Sequence, residues 1–285
     1  MAARDDAILV EEQIENQLYA LHHVDGRSST ELASILGFET FIDHPARDAR
    51  VVGEHWVYFE PAKAPFGEQR EVDIRLVASD GTVEGTFSID DVKPQAASFL
   101  PRSSQPLLTY DTPEHGNELW SIDIDNQHFE LFADLSPGPA STNFGEFLDH
   151  EEWLYFTTSS DVETTVWRTQ ADRSPVAIGT IDSSIVSILT GVGDNVFLTS
   201  GNAAQTLWVA NPSDGVVSLI ESTEEITVQS SQHKLYFEMG ESSNTWVSDG
   251  SQAGTVELPV GGEVFETDSY AYIQAEALML SLIHI

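Results

Sequence analysis

Apolar and polar residues alternate along this chain in short runs, and a period of two is the pattern of a β-strand with one face buried. Between residues 144 and 181 the alternation predicts four strands, which are 144–149, 152–157, 165–169 and 176–181. Clusters of Gly, Pro, Asp and Ser separate these runs, as they separate strands joined by tight turns. The segment is therefore predicted to form one small antiparallel sheet.

The same unit recurs along the chain as an apolar triplet followed by a second apolar strand and a turn. Its clearest copies are the triplets 235–237 and 154–156, which precede Trp246 and Trp167. The middle residues of successive triplets are 36 to 51 positions apart, and they are Leu9, Tyr58, Thr109, Tyr155, Phe197, Tyr236 and Tyr272. A drifting period of about 40 to 50 residues is the length of a propeller blade. We therefore predict an all-β fold, a β-propeller of four-stranded antiparallel blades, with about six blades present and a truncated seventh.

The predicted blades form one repeat domain over 1–279, and they cover 6–45, 48–90, 97–135, 144–181, 185–221 and 227–259, with a partial unit at 264–279. Few residues precede the first predicted strand, so the first blade is predicted to lack its innermost strand. The runs 264–267 and 270–274 are predicted to open the seventh blade. The ring of blades is expected to be unfinished where the sequence stops.

Tryptophans recur at one place in the unit, at positions 120, 167, 208 and 246. Both faces of a blade are apolar, and only neighbouring blades can cover them. Each Trp would bury roughly 150 to 250 Å², so these residues are predicted to pack between blades and not to form a ligand platform. Asp-Gly pairs at 25, 80, 214 and 249 predict tight turns, because Gly tolerates positive φ and Asp caps its own turn.

Four stretches carry a resemblance to a known repeat family, and they are 115–120 (HGNELW) with Asp123, 134–138 (DLSPG), 245–255 (TWVSDGSQAGT) and 77–86 (VASDGTVEGT). They resemble the ELWxxDGT repeats, also described as hyalin-like repeats of bacterial secreted and surface proteins, in which DLSPG looks like the linker between repeats. The similarity covers about residues 6 to 278, although Gln170 stands where Asp is expected and Tyr19 where Trp is expected. The resemblance implies a propeller on or outside the cell with a role in adhesion or recognition, and it implies no catalytic residue.

The charge balance is strongly acidic, with 12 basic residues against 47 acidic ones and a net charge of -35. Such a surface repels phosphate backbones and anionic lipid heads, so nucleic acid is not an expected partner. Molar salt shortens the Debye length to roughly 3 Å and screens the self-repulsion, which favours a salt-adapted source. The absence of cysteine excludes disulfides, thiolate zinc sites and cysteine nucleophiles.

The termini carry no targeting signal that we recognise. No run of about 18 apolar residues occurs, and the first ten residues include Arg4, Asp5 and Asp6 where a signal peptide needs an apolar stretch. The last six residues, 280–285 (LSLIHI), resemble the translation of a transposase mosaic-end sequencing adapter, so we interpret them as an artefact. The natural chain is then expected to continue beyond Met279, and an internal start would explain the missing leader of an extracellular or cell-surface protein.

The sequence contains none of three motifs of known chemistry, which are G-x-S-x-G, a Gly-rich loop opening a helix, and H-E-x-x-H. Residues 191–193 (GVG) are predicted to be a turn, and His22, His23 and His44 are predicted to be loop histidines. No catalytic or cofactor-binding residue is therefore predicted. Calcium is the one cofactor considered, since carboxylates supply the hard oxygen ligands that it prefers, and its candidate ligands are Asp90, Asp91, Asp123 and Asp125.

Three functions fit these observations. The first is an extracellular propeller, a monomeric domain of a larger chain, that binds protein or polysaccharide through its loops, with the connection 61–71 as the leading functional loop. The second is a glycosidase or lyase with carboxylates along the central channel. It predicts polar innermost strands, whereas Phe147, Leu148, Ile185 and Ile188 are apolar there. The third is a structural spacer within a larger adhesin.

Overall fold

The structure is a computed structural model, and it describes all residues except 1, 5–6, 16–17, 26–27, 37–49, 53, 62–73, 90–96, 100–106, 171–172, 203, 241–243, 268–269, 275–279 and 285. Side chains are described in 51, 54–58, 76–89, 107–170, 173–202, 204–229, 231–240, 244–267 and 270–274. Every regular element in these described parts is a β-strand. They contain no helix of the length and apolarity that crossing a bilayer requires.

The first of two compact units, Met1–Thr142, contains three antiparallel sheets of four strands each. Sheet 1 is β1 Ala2–Arg4, β2 Ala7–Glu15, β3 Leu18–Asp25 and β4 Ser28–Leu36. Sheet 2 is β5 Arg50–Val52, β6 His55–Pro61, β7 Ile74–Ser79 and β8 Thr86–Ile89. Sheet 3 is β9 Ala97–Phe99, β10 Leu107–Thr112, β11 Gly116–Asp123 and β12 His128–Ala133.

The second unit, Asn143–Ile285, contains three more sheets of four strands and one of three. Sheet 4 is β13 Phe144–His150, β14 Trp153–Ser159, β15 Thr164–Gln170 and β16 Arg173–Ile181. Sheet 5 is β17 Val186–Val192, β18 Asn195–Ser200, β19 Gln205–Asn211 and β20 Gly215–Ser222. Sheet 6 is β21 Ile226–Ser230, β22 Leu235–Met239, β23 Trp246–Ser248 and β24 Val256–Glu257. Sheet 7 is β25 Glu263–Glu266, β26 Tyr270–Gln274 and β27 Leu280–His284.

This arrangement confirms the predicted fold class, because each sheet is a meander whose strands lie side by side in chain order. Six sheets have the four strands of a propeller blade, and the seventh has three. The sheets at 144–181, 186–222 and 226–257 lie where strands were expected, and the predicted boundaries of the units stay predictions. That the units form one domain over 1–279 stays a prediction, as does the adapter origin of 280–285, whose residues Leu280–His284 pair with β26.

One detail of the prediction was wrong. The first blade does not lack its innermost strand, because the three residues of β1 pair with β2, with Ala2 opposite Leu9. Three residues are enough for an antiparallel strand at a sheet edge, so the short N-terminal segment before the first apolar triplet suffices.

The apolar triplets explain why successive sheets of the second unit pack face to face. Val196 and Leu198 on β18 lie in a cluster with sheet 4, whereas Phe197 between them lies in a cluster with sheet 6. In the same way Tyr236 on β22 packs with Val264, Ala271 and Ile273 of sheet 7, while its neighbours Leu235 and Phe237 pack with sheet 5. Because successive side chains of a strand point to opposite faces, one triplet supplies the core on both sides of its sheet.

Sheets 2 and 3 of the first unit share a core built by the same rule. Val57, Leu76 and Ile89 of sheet 2 pack with Leu108 and Tyr110 of sheet 3, and the largest exposed fraction among them is 3%. Burying a side chain of this size contributes about 1.5–3 kcal/mol. Face-to-face packing of consecutive sheets is therefore the main source of stability in both units.

The predicted packing role of the tryptophans is confirmed at three positions. Trp120, Trp208 and Trp246 are half-buried, and each packs against the cluster that its sheet shares with the preceding sheet. Trp167 stacks on Phe156 at a centroid distance of 6.2 Å. The Trp167 and Trp208 indole N–H groups donate to hydroxyls two residues beyond their cross-strand partners, at 2.9 Å to Thr158 and 2.8 Å to Ser200.

The predicted Asp-Gly turns at 80 and 249 form two loops with the same hydrogen bonds. In the first loop the Asp80 carboxylate accepts from the backbone N–H and the hydroxyl of Thr82, both at 2.8 Å. The Asp249 carboxylate accepts from the same two groups of Ser251, at 2.9 and 2.7 Å. Gly81 and Gly250 adopt positive φ, of 98° and 91°, which a residue with a Cβ adopts only with strain.

The hydrogen bonds from Ser251 hold the pKa of Asp249 below its ordinary value. Because the carboxylates of both loops are engaged within their own turns, the Asp of the DGT signature acts in folding the loop. The predicted turn at 214 is also confirmed, with Gly215 at a φ of 82°. The turn predicted at 191–193 begins later than expected, because Gly191 and Val192 end β17 and pair with Val196 and Asn195, and Gly193 opens the turn with a φ of 53°. The turn predicted at 25 includes residues outside the described part of the chain.

Candidate functional site

The ELW signature and the linker-like DLSPG stretch are joined by a buried carboxylate. Glu118 is fully buried, and its side chain accepts hydrogen bonds from the backbone N–H of Leu135 at 2.8 Å and of Ser136 at 3.1 Å. The hydroxyl of Thr142 donates to the same carboxylate at 2.5 Å. Three donors thus replace the water that a buried carboxylate loses. Glu118 therefore fixes the path of the chain after sheet 3.

His115 and Gly116, where β11 begins, also contact the linker that follows sheet 3. His115 Nδ1 lies 3.3 Å from Asp134 Oδ2, and the His115 ring packs edge-on against Trp120 at 5.9 Å. Gly116 has a φ of 64°, and a Cβ built on it would lie 2.5 Å from the carbonyl oxygen of Ala140. Only glycine fits both requirements. The residues that carry the family resemblance in sheet 3 thus hold its linker in place.

Equivalent tethers occur in the second unit. At the start of β15 the Thr164 hydroxyl donates to the carbonyl of Ser183, at 2.7 Å. At the start of β19 the Gln205 side-chain oxygen accepts from the backbone N–H of Ile226, at 2.8 Å. In each case the third strand of a sheet binds the connection to the next sheet. The first residues of the third strand therefore bind the connection between sheets, although the polar side chain that does so differs from one sheet to the next.

Hydrogen bonds also join one edge of the second unit from sheet to sheet, along what we name the loop row: 150–153, 190–195, 231–234, 266–267 and 270. His150 Nε2 donates to the carbonyl oxygen of Gly193 at 2.8 Å. The hydroxyls of Thr190 and Ser231 are 3.0 Å apart. Each of these contacts joins a hairpin end of one sheet to the next sheet.

Glu266 of sheet 7 completes the loop row. Its side chain is only 1% exposed, and it accepts from the backbone N–H groups of Gln232, His233 and Lys234 at 2.8, 3.1 and 3.4 Å. The carboxylate therefore fixes a turn in sheet 6. The turns at 150–153, 190–195 and 231–234 are thus each bonded to a neighbouring sheet, so the loop row is a surface whose loops are held in place by hydrogen bonds.

A partly buried cationic side chain, that of Arg168, lies beside the loop row in sheet 4. The guanidinium carbon of Arg168 lies 4.2 Å from the ring centroid of Trp153, a cation–π geometry. Burial raises the pKa of the Tyr155 hydroxyl above its ordinary value. Arg168, which hydrogen-bonds this hydroxyl, acts in the opposite direction and lowers the pKa. The contacts of Arg168 with Trp153 and Tyr155 hold the start of β14 against β15. The carboxylates of Glu151, Glu152 and Asp194 are exposed on the adjacent surface.

One group of side chains within the described part of the chain has the composition of a metal site. Asp123, His128 and Glu130 each offer one ligand atom, and these atoms lie within 4.8 Å of one another. The Asp123 carboxylate accepts from the backbone N–H of Asn126 at 2.9 Å and from its side-chain amide at 2.8 Å. These bonds hold the pKa of Asp123 below its ordinary value.

The predicted calcium ligands are placed as follows. Asp123 joins His128 and Glu130, whereas Asp125 is exposed in the hairpin turn between β11 and β12. Asp90 and Asp91 lie outside the described residues, so calcium binding there stays a prediction. His128 and Glu130 were missed in the sequence because they match no metal motif. The available signal was that His128 opens the strand directly after the turn and that Glu130, two residues on, shares its face.

Other predicted functional residues fall in two groups. Residues 62–71 of the predicted loop 61–71 and His44 lie outside the described residues, and Pro61 is the last residue of β6. The prediction that His22 and His23 are loop histidines was wrong, because both lie on β3, where they pair with Val10 and Leu9 of β2. Leu148 and Ile188 are packed against the core between sheets 4 and 5, and Phe147 stacks on Phe156 at 5.6 Å. Ile185 precedes β17 and is 46% exposed. The apolar residues of the first strands thus pack mainly between sheets.

No protein-family model and no curated protein matches the chain. Similar solved structures include the Dos1 propeller, with 10% identity over 90% of this chain and 73% of that chain at a TM-score of 0.49. TolB from Acinetobacter baumannii has 15% identity over 90% and 63%, at 0.37. Sqt1 from Saccharomyces cerevisiae has 13% identity over 90% and 74%, at 0.44. Because these TM-scores are below 0.5, the fold assignment stands on the strand order and sheet packing of the chain itself.

Proposed function

We propose that the chain is a non-catalytic binding module of the ELWxxDGT type, acting outside the cell or at its surface, which binds protein or polysaccharide through loops at the ends of its sheets. The observation that carries this proposal is the loop row. Its turns are fixed by hydrogen bonds from neighbouring sheets (His150 to Gly193, Thr190 to Ser231, Glu266 to 232–234). A preorganised surface loses little conformational entropy when a ligand binds.

The net charge of the chain restricts the classes of ligand that it is expected to bind. With a net charge of -35, association with a sulfated or carboxylated polymer is opposed at long range, and association with a basic or neutral ligand is not. Glu151, Glu152 and Asp194 are exposed in the loop row and supply acceptors for ammonium, guanidinium or hydroxyl donors. We therefore propose basic proteins or neutral polysaccharides as the ligand classes.

A binding screen with paired charge-reversal variants tests this proposal. The immobilised chain is exposed to neutral polysaccharides, sulfated polysaccharides and basic extracellular proteins at low and high salt. The loop-row variant Glu152→Lys with Asp194→Lys is compared with Asp161→Lys with Asp182→Lys, which makes the same charge change at the opposite sheet ends, after β14 and β16.

The loop-row variant is expected to weaken binding by about tenfold or more, equivalent to roughly 1.4 kcal/mol, and the control variant is expected to change it little. For a basic protein the difference should shrink in high salt, because rim charges are screened. Equal losses in both variants would remove the loop row from the proposal. Absence of binding to all three probe classes, or cleavage of a polysaccharide during the assay, would overturn the proposed function.

A further inference from the structure

We propose that Asp123, His128 and Glu130 form a binding site for a divalent transition-metal ion of the Zn²⁺, Ni²⁺ and Cu²⁺ class. The site is independent of the loop row, because it lies on the β11–β12 hairpin of the first unit. Each of the three side chains contributes one donor atom. Water would complete the coordination sphere, as it does at sites with three protein ligands.

The backbone of the hairpin brings these three side chains to one face. Asp123, the last residue of β11, is the cross-strand partner of His128, the first residue of β12. Directly opposed residues have Cβ atoms about 4.5–5.5 Å apart and share a face. Glu130 follows His128 by two positions and therefore lies on the same face. The convergence of the three donors is thus a consequence of strand register.

The distances suit a single ion. Donor atoms that bind one Zn²⁺ at about 2.0–2.2 Å are separated from one another by roughly 3.0–3.5 Å. His128 Nε2 and Glu130 Oε1 are already 3.0 Å apart, and the whole set lies within 4.8 Å. A small rotation of these surface side chains would bring all three donor atoms to the spacing that a single ion requires. Asn126, which binds both oxygens of Asp123, orients that carboxylate as an outer-shell partner does.

The imidazole distinguishes this site from the calcium site considered above. Calcium prefers six to eight oxygen ligands, whereas a neutral imidazole with carboxylates suits Zn²⁺, Ni²⁺ and Cu²⁺. Two carboxylates also balance the charge of a divalent ion. His115 and His233 each lie near a single carboxylate, whereas His128 is grouped with two, so the convergence of one nitrogen and two oxygen donors separates this site from the other acidic groups of the described residues.

The test is a calorimetric titration of the full chain with Ni²⁺ in molar NaCl with excess Mg²⁺, which occupies carboxylate-only sites. One saturable site per chain is expected. His128→Gln is expected to lower the affinity at least about 10–100-fold, the loss seen when an outer-shell partner alone is removed. The matched control is His233→Gln, because His233 also lies near a carboxylate, with Nδ1 3.7 Å from Glu266 Oε1, and it should leave the site unchanged.

Paramagnetic resonance of the Cu²⁺-loaded chain supplies a second reading that does not depend on affinity. Coupling to one imidazole nitrogen is expected in the unsubstituted chain and in His233→Gln, and it should vanish in His128→Gln. Melting curves of both variants without metal show that each is folded. The proposal is overturned if no saturable Ni²⁺ site appears above the carboxylate background, or if His128→Gln retains the site or the nitrogen coupling.

Discussion

Replacing Phe197 with alanine is expected to lower the free energy of unfolding by about 3–5 kcal/mol. Phe197 is 1% exposed and lies in the core that sheet 5 shares with sheet 6. The change removes apolar surface from that core and leaves a cavity that the facing strands cannot close. Urea unfolding in molar NaCl, followed by Trp fluorescence, measures the loss.

Phe265→Ala is the matched control for Phe197→Ala. Phe265 also lies on a strand, but it is 46% exposed, so its truncation should cost under about 1 kcal/mol. Equal losses in the two variants would mean that the apolar triplets do not form the contacts between sheets, and the account of the fold would fail with them.

The second large effect is expected at Glu118. Glu118→Ala leaves the N–H groups of Leu135 and Ser136 and the hydroxyl of Thr142 without the carboxylate that accepts from them. A polar group that loses its partner away from bulk water costs about 1–3 kcal/mol, and three donors lose theirs, so a total loss of roughly 3–5 kcal/mol is expected. The same unfolding experiment measures it.

The control for Glu118→Ala is Glu114→Ala in the same hairpin, where the side chain is exposed. It makes the same chemical change at the surface and should alter the free energy of unfolding by about 0.5 kcal/mol or less. If Glu118→Ala were as mild as this control, the linker 134–142 would be held by other contacts, and the structural explanation of the ELW signature would be wrong.

The strands and their grouping could be predicted because one local rule, the period of two, operates in every unit. The residues 144–149 and 176–181 were assigned to strands within a few positions of Phe144–His150 and Arg173–Ile181. The packing of Trp120, Trp208 and Trp246 could also be predicted, because both faces of a blade are apolar and must be covered by neighbouring blades. The strand β1 was missed because three residues carry too little pattern to reveal a period.

The candidate sites were harder to predict because they depend on contacts that the local pattern does not encode. Glu118 meets Thr142 across 24 positions, and His150 meets Gly193 across 43. The His128 and Glu130 donors could not be predicted because they match no metal motif and are separated from Asp123 by the hairpin turn. The strand register of the β11–β12 hairpin places Asp123 opposite His128, and no motif spacing in the sequence reveals this register.

The central claim is that consecutive sheets within a unit lie face to face, and an engineered disulfide between sheets 4 and 5 tests it most directly. A Cβ built on Gly179 of β16 lies 3.2 Å from the Cβ of Val216 on β20, within a few tenths of an ångström of the 3.5–4.5 Å that a disulfide requires. The chain has no cysteine, so the two introduced thiols are the only ones that can form a disulfide.

Gly179→Cys with Val216→Cys should oxidise within one chain, as shown by free-thiol titration and by peptide mapping without reduction. The partner variant Gly179→Cys with Val217→Cys should stay reduced, because Val217 is directed to the opposite face of its strand. A pair at 179 and 216 that remains reduced, or that crosslinks only between chains, would contradict the stacked-sheet architecture on which the proposed function depends.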